Sequence, residues 1–342
     1  MVSPIYIIAI LLGVGFLLPS FSKAGTKLTG TIFFAALISV CAISYQWLTG
    51  FLIGDQISVM IFTAGFKPPI SINLQMGLLE AIFTGSINFM ALFGAIYMFK
   101  QMAETGTRSF VLFLLMVLGL NGLVMTRDIF NLFVFLEITS IATYSLIGMD
   151  LKLKSLSAGF KYMIAGGIAS VFLLLGIIIL YSVTGTLNID EMVKVIPAVA
   201  NIKLLSIGLF ILLFSLIIEM KQFPANGWAI DAYEGVAPGL TGLVAAIGTA
   251  GVFFAIYKTF PMMSKELLTM TAVIGMMTFF VSNLMGLKQK NPRRILGYSS
   301  VAQMGLILSV GAWSSSGGAI NEKMFLFEEN TPRLASGSKR KV

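Results

Sequence analysis

The amino-acid sequence predicts an all-α polytopic membrane protein with about ten transmembrane helices. Hydrophobic residues make up 57% of the 342 residues and charged residues only 11%, whereas a soluble domain carries roughly 25% charged residues. The apolar residues form long unbroken runs, unlike the alternating strands of a membrane β-barrel. Because a spanning segment must satisfy its backbone hydrogen bonds internally, these runs are expected to be helical.

The composition excludes several classes of site. The only cysteine is Cys41 and there is no histidine, so a disulfide framework, a cysteine-ligated cluster and the usual metal sites are excluded. The formal charge of +8 comes from cations scattered between apolar segments, which argues against nucleic-acid binding. There is no nucleophile motif and no phosphate-binding glycine loop. We therefore expect neither catalytic chemistry nor a cofactor in this chain.

Ten segments reach the length of about twenty apolar residues that crosses a bilayer. The first begins at Pro4 without a basic region before it, so it is expected to be a retained helix, not a cleaved signal. The predicted spans lie near 4–20, 28–50, 76–99, 109–126, 129–149, 158–184, 202–223, 237–260, 267–287 and 295–313.

The seventh span is predicted to be broken. Pro224, Asn226 and Gly227 interrupt an apolar stretch that resumes towards Tyr233, and proline removes a backbone donor and clashes one turn back. Broken helices at membrane depth usually line a cavity or a substrate path. The end of the seventh span is therefore a candidate functional region.

Three segments between or after the spans have their own predictions. Residues 51–75, with two prolines, are predicted to form an extended loop or hairpin. Residues 188–201 have the pattern of a short amphipathic segment at the membrane interface. From Ser314 the sequence becomes polar, and residues 314–342 are predicted to be a flexible tail.

The distribution of basic residues predicts an orientation. The first, third, fifth and ninth connections hold ten Lys and Arg residues, against six in the connections on the other side. By the positive-inside rule the N-terminus is expected outside. An even number of helices then places the C-terminus outside too, although five further basic residues in the tail oppose this orientation.

Four charged residues fall within or at the ends of spans, where a charge costs about 2.5–3.5 kcal/mol. Glu137 is in the middle of the fifth span, Glu219 and Lys221 immediately precede the break, and Lys161 is in the first turn predicted for the sixth span. They form either structural ion pairs or a proton or cation relay, and Lys161 has the further option of extending to the interface.

Polar residues near these charges are candidates for supporting a relay. Ser140, Tyr144, Thr143, Thr249 and Gln303 could bridge gaps between charged groups, or they could simply hydrogen-bond to the local helix backbone. Four further charges lie near helix ends, where solvated or structural roles are expected: Glu80, Asp231, Glu234 and Lys258.

Four stretches occur in an informative order: DIFNLFVFLEI, KYMIAGGIASVFLLLGIIILYSVTGTLNI, FPANGWAIDAYEGVAP and PRRILGYSSVAQMGLIL. Over roughly residues 50–313 the chain resembles the antiporter-like subunits shared by respiratory complex I, Mrp cation/proton antiporters and membrane-bound hydrogenase-type complexes. The resemblance implies two inverted five-helix repeats, each with a broken helix. It divides the chain into 1–108, a complete first repeat at 109–260, the start of a second at 261–313, and the tail 314–342.

The resemblance also implies roles for particular positions. Glu137 matches the family's fifth-helix glutamate, which pairs with a seventh-helix lysine five residues before the proline of the break. In this sequence that position is Glu219, and Lys221 is two residues further on. The family's eighth-helix lysine corresponds to Thr249, and its tenth-helix histidine to Gln303.

The leading hypothesis is a membrane-arm subunit of a redox-driven proton- or sodium-translocating complex in a prokaryotic plasma membrane. Iron–sulfur clusters, with nickel–iron or flavin as further candidates, are then expected in partner subunits. The alternatives are a subunit of a cation/proton antiporter without a redox module, or a structural subunit that conducts no ions.

Overall fold

The computed structural model describes residues 1–54, 57–63, 71–236 and 238–317, and within them it confirms a helical membrane protein. Ten helices in the described chain are long and apolar enough to cross a bilayer. Together with the short α7 and α9, and with the eighth span divided into α10 and α11, the described α-helices are α1 Ile5–Leu17, α2 Thr26–Ile53, α3 Leu78–Thr105, α4 Thr107–Met125, α5 Ile129–Ile147, α6 Leu153–Thr184, α7 Ile189–Val195, α8 Ile202–Glu219, α9 Gly227–Gly235, α10 Pro238–Leu243, α11 Thr249–Thr259, α12 Lys265–Leu287 and α13 Pro292–Ser315.

The segments between the spans agree with the sequence in part. Strands β1 (Val59–Phe62) and β2 (Asn73–Met76) pair antiparallel, which confirms the hairpin. The two prolines of this segment, Pro68 and Pro69, lie outside the described residues. The predicted amphipathic segment, residues 188–201, contains helix α7 and the 3-10 turn Ile196–Ala198. Of the predicted tail, residues 318–342 also lie outside the described part.

Helix α8 ends four residues earlier than the predicted limit of 223. Lys221 has a φ of 62°, in the left-handed region that ends a right-handed helix. The N–H group of Phe223 donates to Thr278 Oγ1 at 3.0 Å instead of to a carbonyl of α8. The peptide bond between Phe223 and Pro224 is cis. The break thus lies before Pro224, and the chain turns away before it forms α9.

The eighth span is not a uniform helix. A single π-helical turn, Val244–Gly248, joins α10 to α11. The wider turn leaves the Val244 carbonyl oxygen available to side chains, and it accepts a hydrogen bond from Thr249 Oγ1 at 3.2 Å. Such π turns occur frequently at functional sites. The sequence analysis did not predict this feature.

Close packing of α4 against α5 fixes the helix that carries Glu137. A Cβ atom at Gly119 would overlap Thr139 Oγ1 and come within 2.8 Å of the Phe135 carbonyl oxygen. At Gly122 it would overlap the Phe135 ring. Small residues let helix backbones approach closely in a membrane. The two glycines on α4 are therefore required at this contact.

The junction between α4 and α5 contacts several other elements. Thr126 forms a β-bridge with Leu74 of β2, and Asp128 forms one with Asn188, just before α7. Arg127 pairs with Asp190 of α7. These contacts connect the hairpin and α7 to the junction between α4 and α5, at the end of the bundle opposite α9.

Lys258 and Glu80 are buried at this same junction, with 4% and 6% of their surface exposed. The Lys258 ammonium donates to the carbonyl oxygens of Leu123, Val124 and Thr126 at 2.5, 3.1 and 2.6 Å. Glu80 accepts from the Gly77 N–H group at 3.0 Å. Of the two roles expected for these charges, solvated or structural, the contacts fit the structural one.

Replacing Lys258 with methionine should destabilise the bundle, because the last carbonyls of α4 would lose their donors. Each buried polar group left unsatisfied costs about 1–3 kcal/mol, so we expect a loss of about 2–4 kcal/mol. The check is the thermal unfolding midpoint of the detergent-solubilised protein. Lys265→Met is the matched control, because Lys265 is exposed at the start of α12. Equal midpoints for the two variants would contradict the assigned role.

Candidate ion-translocation site

Glu219 is a buried carboxylate with an unsatisfied oxygen. It is the last residue of α8, it is 3% exposed, and its Oε1 atom has no hydrogen-bond partner in the described part of the chain. Gly166 of α6 faces it, and a Cβ atom there would lie 3.3 Å from Oε1. Since burying an unpaired carboxylate is costly, this group is a candidate site for a proton, a water or a cation.

Lys221 is equally buried but has several partners. Its ammonium donates to Tyr233 Oη at 3.0 Å and Thr249 Oγ1 at 3.2 Å, and it lies 3.5 Å from the Val244 carbonyl oxygen. The same nitrogen is 5.3 Å from the centre of the Tyr233 ring. The left-handed conformation of Lys221 and the π turn together hold this ammonium between α8, α9 and α11.

Glu219 and Lys221 point apart although they are only two residues apart in the sequence. No ion pair joins them among the described residues. Both line one cavity in the middle of the bundle, and a Coulomb interaction connects them. The cavity is just large enough for about one water molecule. Its other polar lining residues are Thr139, Ser140, Thr143 and Tyr162.

Glu137 lies beside this cavity but does not line it. The side chain is half-buried on α5, and Coulomb interactions connect it with Glu219 and Tyr144. No ion pair involving Glu137 is present among the described residues, so the glutamate–lysine pair that the resemblance implies is not formed in this structure. Glu137 is therefore a candidate to exchange protons with Glu219.

Lys161 lies away from the cavity. Helix α6 begins at Leu153, five residues before its predicted start, so Lys161 is not in the first turn as expected. Its side chain is 50% exposed and donates to Asp231 Oδ2 at 2.5 Å. The structure therefore places Lys161 in a surface ion pair at the end of the bundle where α9 lies.

The supporting residues separate into two groups. Thr249 contacts Lys221, and both Ser140 and Thr143 line the cavity. Thr143 also donates to the Thr139 carbonyl oxygen at 2.7 Å, as expected for a helix hydroxyl. The other three neither line the cavity nor hydrogen-bond to Lys221: Tyr144 is half-buried, while Gln303 and Pro224 are exposed.

Two buried tyrosines belong to the site but were not among the predicted residues. Tyr233 contacts the Lys221 ammonium, and Tyr162 lines the cavity and stacks on Trp228 with ring centres 4.6 Å apart. Aromatic residues are common in membrane helices, so the sequence around these two tyrosines does not identify them as functional. Only the contacts across α6, α8 and α9 identify them.

A network of partly exposed charged side chains lies at the surface beside α9. Arg294 Nη1 of α13 donates to Asp231 Oδ1 at 3.0 Å and to Glu234 Oε2 at 2.7 Å. The Asn291 amide also donates to Glu234, at 3.0 Å. The hydrogen bond from Lys161 holds the pKa of Asp231 below its usual range. The network connects α9 to both α6 and α13.

Comparison with known proteins identifies the family of the chain. Residues 126–327 match the family model described as NADH:quinone oxidoreductase/Mrp antiporter, transmembrane. The match covers more than half of the chain. The chain belongs to this family.

Two curated relatives are each 31% identical to the chain. The NADH-quinone oxidoreductase subunit N of Desulforudis audaxviator matches over 72% of this chain and 51% of its own length. The subunit N of Rubrobacter xylanophilus matches over 66% of this chain and 48% of its own length. The chain thus spans about half the length of the curated relatives it matches.

Solved structures of multisubunit membrane complexes contain similar chains. A chain of the archaeal membrane-bound sulfane sulfur reductase has a TM-score of 0.84 and 30% identity, with 90% of this chain and 64% of that chain covered. A chain of the Mrp complex from Dietzia has a TM-score of 0.81 and 26% identity, with 90% and 58% covered.

Lys161→Met should have a small effect, because its ion pair with Asp231 is partly exposed. Pairs of this kind contribute about 0–1 kcal/mol. Because the pKa of Asp231 is lowered in the folded state, the contribution is present above the ordinary aspartate pKa of about 4 and is lost as the pH falls below it. Thermal unfolding of wild type and variant at pH 7 and pH 3 is the measurement. A large difference at pH 7 would be inconsistent with a surface pair.

Proposed function

We propose that this chain is a membrane-arm subunit of a redox-driven ion-translocating oxidoreductase complex, and that it moves protons or sodium ions through the central cavity. The observation that carries the proposal is the pair Glu219 and Lys221. A buried carboxylate with an unsatisfied oxygen and a buried ammonium line one water-sized cavity, next to a broken helix.

The two charges suggest how an ion is loaded and released. An ammonium close to a carboxylate stabilises its ionised form, and removal of the ammonium favours the protonated form. In this structure Lys221 is held by Tyr233 and Thr249, which is the loading arrangement for Glu219. A swing of Lys221 across the cavity would favour release. The long lysine side chain allows this movement without a shift of α8.

Glu137 is the proposed exchange partner of Glu219. Two carboxylates that interact without a cation between them share protons, because both are not readily ionised together. The half-buried position of Glu137 leaves one side of it open to the surroundings of α5. Thr139, Ser140 and Thr143 on the same helix supply hydroxyl groups along the cavity.

The expected partners follow from what this chain does not itself supply. Redox chemistry would take place in other subunits, with iron–sulfur clusters and, as further candidates, nickel–iron or flavin. The names of the similar proteins support this assignment: subunit N belongs to an NADH-quinone oxidoreductase, and the archaeal chain to a respiratory membrane complex. We place the chain in a prokaryotic plasma membrane, with its N-terminus outside as the basic residues predict.

A cation/proton antiporter without a redox module is the second candidate. The similarity to a chain of the Dietzia Mrp complex favours it. The same cavity would serve either function. Glu219 and Lys221 would bind and release the ion in both cases, whether redox chemistry or an ion gradient supplied the energy. Purification of the tagged chain from native membranes would separate the two, since iron–sulfur subunits would copurify only in the first case.

Replacing Glu219 with glutamine should abolish ion translocation while electron transfer continues. The amide keeps the shape of the side chain but cannot exchange a proton, so we expect a loss of at least about tenfold. The measurement is ion uptake by host membrane vesicles, normalised to electron transfer. Glu104→Gln is the matched control, because Glu104 is exposed near the end of α3.

Replacing Glu137 with glutamine tests the second carboxylate. If Glu137 exchanges protons with Glu219, coupled uptake should again fall at least tenfold with assembly unchanged. Assembly is followed by gel filtration of the tagged complex. Normal coupled uptake in both the Glu137→Gln and Glu219→Gln variants would rule out ion translocation through this cavity and favour a structural subunit.

A further inference from the structure

Helices α6 and α8 are in close contact where Glu219 is buried. Ser215, one turn before Glu219 on α8, donates to the Ala169 carbonyl oxygen of α6 at 2.6 Å. Farther from Glu219, a Cβ atom at Gly176 of α6 would lie 2.8 Å from the Leu212 backbone nitrogen. Helices packed this closely have little freedom to move apart. The two backbones therefore fix the space into which the Glu219 side chain must fit.

Gly166 is the residue of α6 that faces the Glu219 carboxylate. A Cβ atom at this position would lie 3.3 Å from Glu219 Oε1 and 3.9 Å from two ring atoms of Tyr162. The distance to Tyr162 is an ordinary contact, but the distance to Oε1 is tighter than nine in ten contacts of real Cβ atoms. The absence of a side chain at Gly166 therefore lets the carboxylate lie directly against the α6 backbone.

On its other side the Glu219 side chain borders the central cavity. Glu219 is 3% exposed, so this cavity is the space open to it within the bundle. Lys221 lines the same cavity, and no ion pair joins the two side chains in the described part of the chain. A carboxylate displaced from α6 would enter the cavity and approach the Lys221 ammonium.

We propose that Gly166 is a positioning residue for ion translocation: it leaves room for the Glu219 carboxylate against α6 and so keeps it from pairing with Lys221. The proposal rests on the proposed function and adds a residue to it. A carboxylate that stays apart from the ammonium is free to bind and release an ion, whereas a close ion pair holds it in the ionised form. A methyl group at position 166 favours the paired arrangement.

The charges around Glu219 determine what such a displacement does. The titratable groups of the described chain that interact with Glu219 are Lys221, Glu137 of α5 and Tyr162 of α6. Lys221 attracts the ionised carboxylate, and an ionised Glu137 repels it. Lys221 lines the cavity, whereas Glu137 does not. Movement into the cavity therefore strengthens the attraction to Lys221.

The next residue of α6 supplies a matched control. Gly167 is exposed, and a Cβ atom there would have no described atom within 4 Å. Replacement of glycine by alanine has the same intrinsic effect on helix formation at both positions. The comparison of Gly166→Ala with Gly167→Ala therefore isolates the contact with Glu219.

The experiment measures proton and sodium uptake by host membrane vesicles that carry Gly166→Ala, Gly167→Ala or Glu219→Gln. The electron donor is one that drives uptake in wild-type vesicles, and rates are normalised to electron transfer. We expect uptake to fall at least about threefold in Gly166→Ala, because small displacements of a reacting group slow its reaction. Uptake in Gly167→Ala should be unchanged. Gel filtration of the tagged complex checks that each variant assembles.

The pH profile of uptake distinguishes positioning of the carboxylate from packing of the helices. Because a nearby ammonium favours the ionised carboxylate, protonation of Glu219 requires a lower pH when the two are closer. The profile of Gly166→Ala should therefore shift to lower pH. A substitution that only disturbed the contact between α6 and α8 would reduce uptake without shifting the profile.

Each result decides between these explanations. Wild-type uptake in Gly166→Ala together with loss in Glu219→Gln would overturn the role of Gly166 and leave the proposed function intact. Reduced uptake without a shifted profile, including loss at every pH, would also overturn it. So would equal losses in Gly166→Ala and Gly167→Ala, or failure of Gly166→Ala to assemble. Normal uptake in Glu219→Gln, or no donor that drives uptake in wild type, would instead contradict the proposed function itself.

Discussion

The separation of a buried carboxylate from a buried ammonium two residues away is the constraint on which the rest of the site depends. On a continuous α-helix, residues two apart already point about 200° apart, but the left-handed Lys221 adds a turn of the chain. The ammonium is thereby directed to α9 and α11, and Glu219 is left facing α6. Without the break, neither the cavity nor the hydrogen bonds of Lys221 would exist in this form.

The hydrogen bonds are distributed unequally between the two charges. An ammonium has three protons to donate, and Lys221 finds a phenol, a threonine hydroxyl and a backbone carbonyl. The π turn makes that carbonyl available. Glu219, in contrast, keeps one oxygen unsatisfied within the described structure. Because an unpaired buried charge is much more costly than a paired one, the proposed function assigns uptake and release of the ion to the carboxylate.

The fold was predictable from the sequence because a bilayer imposes a simple rule. Long apolar runs must be helices, so ten spans, the hairpin and the break before α9 followed from composition and proline. Glu137, Glu219 and Lys221 were identifiable as charges in apolar surroundings. The end of α8 was less predictable. It depends on a hydrogen bond from Phe223 to Thr278 of α12, which is distant in the sequence.

Contacts across the bundle explain the features that the sequence did not predict. Lys258 looks like a residue at a helix end, yet its three acceptors are on α4 and in the turn that follows it, more than 130 residues earlier in the chain. Lys161 looks like a candidate membrane charge, yet Asp231 pairs with it at the surface. Tyr233 has no distinguishing pattern at all. In each case the partner, and not the residue type, decides the role.

The eighth span connects the middle of the bundle to the α4–α5 junction at one of its ends. Its π turn and Thr249 contact Lys221 in the middle, while Lys258 near its end binds the α4–α5 junction. That junction also orients α5, the helix of Glu137 and of the cavity hydroxyls. A change in the π turn would therefore alter the position of the ammonium and the helix of the second carboxylate together. A single distorted helix thus contacts Lys221 and the junction that orients the helix of Glu137, as the proposed loading and release would require.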